Sequence, residues 1–303
     1  MSRIIIMLMI LQLFTHLWEA KYTEKTNDYA SGVLSIENQE DLAEPTPIIL
    51  PTPSYEYYLS EQALSTEINP IKLEMRVCKA NEITDDEKWF YDNEVSISKY
   101  QIPISTRQIP GNLPDFINPK FSDLIITDAF YDDEYVYCVY GPQYASGRIL
   151  KVYSAGSHEL IISFDFTNYY LPGPGNKVQY INWAQIENNV LYISHSHGFA
   201  SENSNNMNAY ITAINLNDFE IIWRTKPLVS NTYNFLIIDG VIVSGYGYTN
   251  ESDYLYQINK TNGEVIDQMP LKSAIDYIIE KDNSLYIRTY NTDYIFDISK
   301  KDE

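Results

Sequence analysis

YLYQINKTNGEVID, residues 254–267, is the segment of this chain whose pattern is most informative. Aliphatic and aromatic residues flank the tripeptide Thr261-Asn262-Gly263, and Asn and Gly tolerate the positive φ of a tight turn. The segment therefore predicts two antiparallel strands joined by a short turn. Two earlier copies have the same form, AYITAINLNDFEIIW at residues 209–223 and the looser ILKVYSAGSHELII at residues 149–162.

A strand-like run preceded by turn-forming residues occurs ahead of each copy. Four such runs align: Tyr135–Cys138, Val190–Ile193, Val241–Ser244 and Ser284–Ile287. Their second residues, at positions 136, 191, 242 and 285, lie 55, 51 and 43 residues apart. One four-stranded blade of a β-propeller takes about 40 to 50 residues. Residues 121–303 therefore predict an all-β, propeller-like array of four-stranded blades, with about four to five blades in total.

The last repeat lacks a partner on its outer side. Its final strand, Asp293–Ile298, is followed by a turn and then the sequence ends. In a closed propeller an N-terminal strand fills that place, so we expect residues 71–120 to be an irregular segment that supplies a closing strand or a degenerate fifth blade. The alternating stretch Val95–Ile104 is our candidate, although Lys72–Val77 also alternates. An incomplete or open ring is the alternative.

The strand–turn–strand unit resembles the repeat of the quinoprotein-type (PQQ-like) β-propellers. In that family an Asp before the turn is followed eight residues later by Trp, and Asn215 and Trp223 have this spacing here. The next copy has Asn259 and the turn residue Gly263 but no Trp. The sequence departs from the family where Asn replaces Asp and where Phe219 replaces the turn Gly. The resemblance implies a propeller in which Asn215, Trp223, Asn259 and Gly263 are structural, and it implies little about function.

The two cysteines do not point to quinone chemistry. Dehydrogenases of that family have a vicinal cysteine pair and a larger, complete propeller, whereas Cys78 and Cys138 are far apart in sequence. We therefore expect no redox activity and no cofactor. If the protein is exported, the two residues can form a disulfide. The alternative is that Cys138, in a strand-like run, is a buried and inert thiol.

His195-Ser196-His197 is the only local metal-like spacing in the sequence. Two His at i and i+2 of a strand point to the same face, which makes His195 and His197 weak metal candidates. Two ligands do not complete a site, and polar residues at a strand end are the preferred interpretation. The sequence contains no G-x-S-x-G elbow and no phosphate-binding glycine motif. These observations predict a protein without catalytic activity.

Charge and the N-terminal segment bear on the compartment. The chain has 41 acidic and 21 basic residues and a formal net charge of -20, which disfavours nucleic acid and anionic lipid as partners.

Arg3 precedes the apolar run Ile4–Leu17, so residues 1–20 predict a signal peptide or, because Trp18 does not suit cleavage, an uncleaved membrane anchor. Residues 21–70 contain several prolines and predict a disordered linker.

Two functions from different classes remain open at this point. The first is a non-catalytic, extracytoplasmic β-propeller that binds or scaffolds other proteins, either secreted or held at the outer face of a membrane. The second is a propeller that acts on a small ligand or glycan as a cation-dependent hydrolase or lyase. The second requires His195 and His197 to lie beside carboxylates at the ring centre. Neither the partner nor the oligomeric state follows from the sequence.

Overall fold

A computed structural model describes residues 45–51, 68–81, 85–100, 113–143, 146–169 and 178–299. The predicted export segment, residues 1–20, lies outside these residues, and so does most of the predicted linker, residues 21–70. In the described chain, strands predominate and are accompanied by one α-helix and one short 3-10 helix, Ser201–Ser204.

The elements have the following bounds in chain order. The N-terminal part contains β1 (Ile48–Ile49), β2 (Lys72–Ala80), α1 (Asp86–Asn93), β3 (Lys120–Phe121), β4 (Leu124–Tyr131), β5 (Tyr135–Gly141), β6 (Ile149–Ser154) and β7 (Leu160–Asp165). The middle contains β8 (Tyr180–Glu187), β9 (Val190–Ser196), β10 (Tyr210–Asn215), β11 (Ile221–Arg224), β12 (Leu236–Ile238) and β13 (Val241–Tyr246). The last part contains β14 (Tyr254–Asn259), β15 (Val265–Pro270), β16 (Ile275–Lys281), β17 (Ser284–Thr289) and β18 (Thr292–Ser299).

The strands form four sheets. The first has six strands in the order β1-β7-β6-β5-β4-β3, in which β1 pairs parallel to β7 and the other pairs are antiparallel. The second and third are four-stranded, with orders β11-β10-β9-β8 and β12-β13-β14-β15, and the fourth has the order β16-β17-β18-β2. Apart from β1 and β2, which come from the N-terminal part of the chain, the strands of each sheet are consecutive in sequence and antiparallel. The predicted all-β, propeller-like fold of four-stranded blades is confirmed.

Three equivalent turns join the first and second strands of the second, third and fourth sheets. Both central residues of each turn have positive φ: Asn188-Asn189 (51° and 62°), Asp239-Gly240 (49° and 82°) and Asp282-Asn283 (51° and 57°). This is the type I′ geometry, whose twist matches that of the flanking strands and which Asn, Asp and Gly adopt at the least cost. The turn residues before each run therefore set the first hairpin of these blades.

The three strand–turn–strand copies are also equivalent in structure. In each copy the same two backbone hydrogen bonds close the turn, and the residue before the second strand has a positive φ. That residue is His158 (φ 62°) in the first sheet, Phe219 (φ 64°) in the second and Gly263 (φ 78°) in the third. The turn thus keeps the same two hydrogen bonds and the same positive φ even where another residue stands in place of Gly.

The outer place of the fourth sheet is filled by β2. This strand pairs antiparallel with β18 over its whole length, from Lys72 opposite Ser299 to Ala80 opposite Thr292. The segment predicted for this place, Val95–Ile104, does not fill it. Both are alternating stretches, but β2 is the more polar one, and only two of its nine residues are even half-buried. An outermost strand exposes one whole face and an edge, so the polar segment suits this place better.

Residues 85–100 lie between the fourth and the first sheets instead. Helix α1 begins where Asp85 accepts a hydrogen bond from the backbone N–H of Lys88 at 3.1 Å. After the helix, Val95 packs with Trp89 and with Ile279 of β16 in a small hydrophobic cluster. The chain then runs beside β4, where the backbone N–H of Tyr100 donates to a β4 carbonyl at 2.8 Å. Residues 101–104 lie outside the described chain.

Buried contacts connect each sheet to the next. Phe130 of the first sheet stacks on Trp183 of the second with ring centroids 4.1 Å apart. The second and third sheets meet at Trp223, which is almost fully buried. The third and fourth are joined by Asn234, whose side chain donates to the carbonyl of Ile278 and accepts from its N–H at 2.6 and 3.0 Å. With residues 85–100, these contacts lead from the fourth sheet back to the first.

Candidate functional site

His195, the first of the two metal candidates, is buried inside the second sheet. Its ring stacks on Tyr210, and Arg224 donates from Nη2 to Nε2 of the imidazole at 3.2 Å. The guanidinium carbon of Arg224 in turn lies 3.8 Å from the centre of the Tyr210 ring. Burial and then the charge of Arg224 hold the pKa of His195 well below its ordinary value. His195 is therefore a neutral acceptor for an arginine, and that charge repels a metal cation.

His197 belongs to a hydrogen-bonded loop that follows β9. The backbone N–H of Phe199 donates to Nδ1 of His197 at 3.3 Å, so the ring proton is on Nε2. Nε2 then donates to Oγ of Ser204 at 2.8 Å, and Ser204 donates to the carbonyl of Ser201 at 3.1 Å. A catalytic serine needs the opposite arrangement, in which the imidazole accepts the hydroxyl proton. Ser204 is also fully buried, so this pair fixes the loop.

The carboxylate of Glu251 contacts this loop and is engaged as well. Oε1 of Glu251 accepts the backbone N–H of Ser201 at 2.6 Å, and Tyr246 donates its hydroxyl to the other oxygen of Glu251. Within the described residues, no group of three or more His, Cys, Asp or Glu side chains is placed to hold a metal ion. The contacts described for the two imidazole rings are with an arginine, aromatic rings, a serine hydroxyl and a backbone N–H. These contacts give the ligand-active alternative no support.

The four residues expected to be structural lie at turns and at a contact between sheets. The side-chain oxygens of Asn215 and Asn259 each accept the backbone N–H two residues further on, at 2.9 Å. Trp223 donates from Nε1 to the carbonyl of Lys260 at 3.2 Å, which ties the second sheet to the third. Gly263 lies under the same indole, where a Cβ would come within 2.6 Å of the ring. Side-chain hydrogen bonds hold the two asparagines and Trp223 in place, whereas Gly263 fits beneath the indole because it has no side chain.

The two cysteines lie in different sheets. Cys78 is exposed on β2, Cys138 is buried on β5, and both are free thiols in the structure. Burial raises the pKa of the Cys138 thiol well above its ordinary value. This residue therefore has the properties of an inert core thiol, which was the alternative to a disulfide in the sequence-based interpretation.

A cleft of about 540 Å³ opens at the end of the first sheet where the β4–β5 and β6–β7 turns lie. Two pairs of aromatic rings line it. The rings of Tyr100 and Tyr131 have centroids 4.8 Å apart, and Phe116 and His158 are stacked nearly parallel at 4.2 Å. The apolar Val136 lies in the lining between these groups. We call this feature the aromatic cleft.

Four separate parts of the chain build the aromatic cleft. Tyr131 is the last residue of β4, and His158 is the positive-φ residue of the β6–β7 turn. Phe116 lies in the segment before β3 and also contacts Tyr153 edge-on at 5.8 Å. Tyr100 is fixed by its backbone hydrogen bond to β4. Tyr131 is thus the one of the four rings that belongs to a strand, and the other three are placed by a turn, by a backbone hydrogen bond to β4 and by ring contacts.

The charge of the aromatic cleft is negative. Asp132 lines it and accepts hydrogen bonds from the backbone N–H of Glu134, the backbone N–H of Tyr135 and the hydroxyl of Tyr137, at 2.9, 2.7 and 2.7 Å. Burial, followed by the charge of Asp132, raises the pKa of Tyr137. The exposed Asp115 adds a second carboxylate to the lining. Among the described residues that line the cleft there is no Lys or Arg.

Comparison with known proteins identifies no family. No protein-family model and no curated protein sequence matches this chain. Among solved structures, the chain is similar to BamB from Moraxella catarrhalis, with 13% identity over 58% of this chain and 44% of that chain and a TM-score of 0.39. It is also similar to the computationally designed Ika4 protein, with 11% identity over 62% of this chain and 100% of that chain and a TM-score of 0.39. The chain thus spans less than half of BamB, and neither likeness supports a functional conclusion.

Sequence reasoning did not find the aromatic cleft. Its four rings come from positions spread over about sixty residues, and only His158 belongs to a repeated motif, the first strand–turn–strand copy. The only available signal was the large number of tyrosines, 27 in the chain, which suggested that some aromatic rings would be exposed.

On the question of membranes, no helix among the described residues has the length and apolar character needed to cross a bilayer.

Proposed function

We propose that this protein is a non-catalytic, exported β-propeller that binds another protein through the aromatic cleft. Residues 1–20 are the export signal or membrane anchor in this proposal, and residues 21–70 contain the linker that separates the propeller from the membrane or from the point of cleavage, although β1 within that stretch is paired with β7. The repeats from residue 121 onward, together with the cleft residues Tyr100, Pro114, Asp115 and Phe116, form the binding domain. The observation that carries the proposal is the cleft itself, an open concave site with aromatic walls and two carboxylates.

Aromatic side chains at a concave surface are typical of protein interfaces. Tyr and Trp are enriched among the residues that contribute most to binding, because a rigid ring contributes a large contact area and loses little entropy. Tyr131 lines the cleft and is 38% exposed, so its ring is accessible to a partner. The polar residues that suggested catalysis, in contrast, are engaged in contacts within the protein. These features support binding over chemistry.

Site-specific photo-crosslinking in the native host tests this proposal. A photoreactive phenylalanine replaces Tyr131 in the cleft, and in a control protein it replaces Tyr290, which is 58% exposed in the β17–β18 turn. We expect a discrete protein adduct from position 131, unchanged by a metal chelator, and no such adduct from position 290. The proposal is wrong if position 131 yields no protein adduct, or if both positions give the same set of adducts.

The compartment requires a separate measurement. Fractionation of the host places the protein in the envelope or the medium if the proposal holds, and mass spectrometry of the N-terminus distinguishes cleavage near residue 20 from an uncleaved anchor. Recovery of the full chain from the cytoplasm would contradict export.

A further inference from the structure

We propose that the aromatic cleft recognises a positively charged side chain, arginine or lysine, in an extended segment of the partner protein. This inference rests on the proposed function and specifies the chemistry of the partner. Its basis is the combination of aromatic rings and carboxylates in the cleft, where the described lining residues include no Lys or Arg.

The rings are suited to hold a cation. A guanidinium or ammonium group is attracted to the face of an aromatic ring when it lies within about 6 Å of the ring centre. Phe116 and His158 each cover one face of the other ring, and Tyr153 contacts Phe116 edge-on. Tyr131 presents its ring to solvent beside Tyr100. The cleft therefore offers ring faces on two sides of a space large enough for one long side chain and its neighbouring backbone.

The electrostatic field selects a cation over an anion. Asp132 and Asp115 contribute carboxylates to the lining, and the chain as a whole has a net charge of -20. The nearest lysine along the chain, Lys99, forms an ion pair with Asp128 at 2.7 Å and so adds no net positive charge. A carboxylate or phosphate ligand would be repelled here, whereas a basic segment would be attracted from a distance.

The same protein holds two of its own cations on aromatic rings. Nζ of the buried Lys151 lies 3.7 Å from the centre of the Phe121 ring, and Arg224 lies over Tyr210 as described above. Those rings are already occupied. In the part of the chain that the structure describes, no Lys or Arg lies over Tyr131 or Phe116. The described lining of the cleft has aromatic rings like those of these two internal contacts and contains no Lys or Arg.

A pair of matched peptides tests the inference. The probe is the heptapeptide Gly-Ser-Gly-Arg-Gly-Ser-Gly with blocked ends, and the control peptide has citrulline in place of arginine, which keeps the shape and removes the charge. Titration calorimetry with the full chain measures both affinities. We expect the arginine peptide to bind at least about tenfold more tightly, a difference that cation–π attraction and the two carboxylates can provide.

Variants of the protein localise the effect. Tyr131→Leu should abolish the preference for arginine, and Tyr131→Phe should retain it because the ring remains. Asp115→Asn should weaken binding of the arginine peptide about threefold, as expected for one partly screened carboxylate. The control Tyr290→Leu removes an exposed tyrosine outside the cleft and should change nothing.

Three results would overturn the inference: equal affinity for both peptides, a preference that survives Tyr131→Leu, or no binding of the arginine peptide at millimolar concentration. The proposed function has its own outcome, since it depends on the crosslink from position 131. A protein adduct there together with equal peptide affinities would leave the binding function standing and remove the charge-based recognition. A preference for arginine without any protein adduct would leave the charge-based recognition standing and remove the protein-binding function.

Discussion

Gly263→Ala should destabilise the fold because the substitution strikes the contact between the second and third sheets. A Cβ at this position would lie 2.6 and 2.8 Å from two atoms of the Trp223 indole, and the backbone has a φ of +78°. An L-residue in the left-handed region costs about 1 to 2 kcal/mol, and forcing a methyl group into a packed site adds about 1 to 3 kcal/mol. Since Trp223 is also tied by its hydrogen bond to Lys260, the indole cannot move away freely. We expect a loss of about 2 to 5 kcal/mol in the free energy of unfolding.

Urea unfolding followed by circular dichroism measures this loss. Gly156→Ala is the matched control, because the nearest atom to its Cβ would be 4.0 Å away. There we expect no loss, or a gain of up to about 1 kcal/mol from the stiffer unfolded chain. In a Trp223→Leu background the steric part of the Gly263→Ala effect should disappear, and the cost of the backbone conformation should remain. Equal effects of the two alanine substitutions, or an unchanged effect without the indole, would refute this reasoning.

Three further predictions concern the other junctions. Asn234→Ala leaves the backbone groups of Ile278 without their side-chain partners and should cost about 2 to 4 kcal/mol in urea unfolding; a loss below about 1 kcal/mol would contradict the bridging role. Burial, then the charge of Asp86, raises the pKa of Asp276 to about 6, so the folded state keeps this proton to higher pH than the unfolded chain and stability should fall between about pH 4 and pH 6. Asp276→Asn should remove this slope and gain about 1 to 2 kcal/mol at pH 7 once solvent screening is allowed for; an unchanged slope would count against it. A chain limited to residues 82–303 lacks β1 and β2, exposes the edges of β7 and β18 and should aggregate, while a monomeric, folded product would show that these two strands are dispensable.

Local turn chemistry is the part of the fold that the sequence predicts well. Pairs such as Asn188-Asn189 adopt the positive φ that their composition favours, and the copies around Asn215 and Asn259 form the same turn. These features depend on residues only a few positions apart. For this reason four blades were visible in the sequence, including the second copy, in which Phe219 takes the place of Gly.

Contacts between distant segments are the part that the sequence does not predict. The closing strand was assigned to Val95–Ile104 because its apolar residues alternate, yet an outermost strand can be polar, and the apolar Val95 is used between two sheets instead. The environment of His195 depends on Arg224, which lies 29 residues further along the chain. Alternation reports which residues are apolar, and it carries no information on which neighbour will cover them.

The first sheet departs from the repeat, and the departure accounts for the aromatic cleft. The other three sheets begin with a type I′ turn, whereas neither Asp133 nor Glu134 at the corresponding turn has a positive φ. The carboxylate of Asp132 holds this turn by accepting hydrogen bonds from two backbone N–H groups. Its conformation is therefore fixed by a charged side chain and not by residues that favour a positive φ. Holding the turn in this way places a carboxylate at the end of the sheet, directly after Tyr131.

The second turn of the same sheet differs from its equivalents in a related way. In the second sheet the equivalent residue, Phe219, contacts Phe164 of the preceding sheet, and in the third Gly263 lies under the indole of the preceding sheet. In the first sheet His158 instead stacks on Phe116, from a segment outside the repeat. The β6–β7 turn thus lacks the contact with a preceding sheet that its two equivalents make, and its His158 lines the cleft instead. Because both departures from the repeat lie at the same end of one sheet and both supply residues to the cleft, they are the structural basis on which we propose a binding site there.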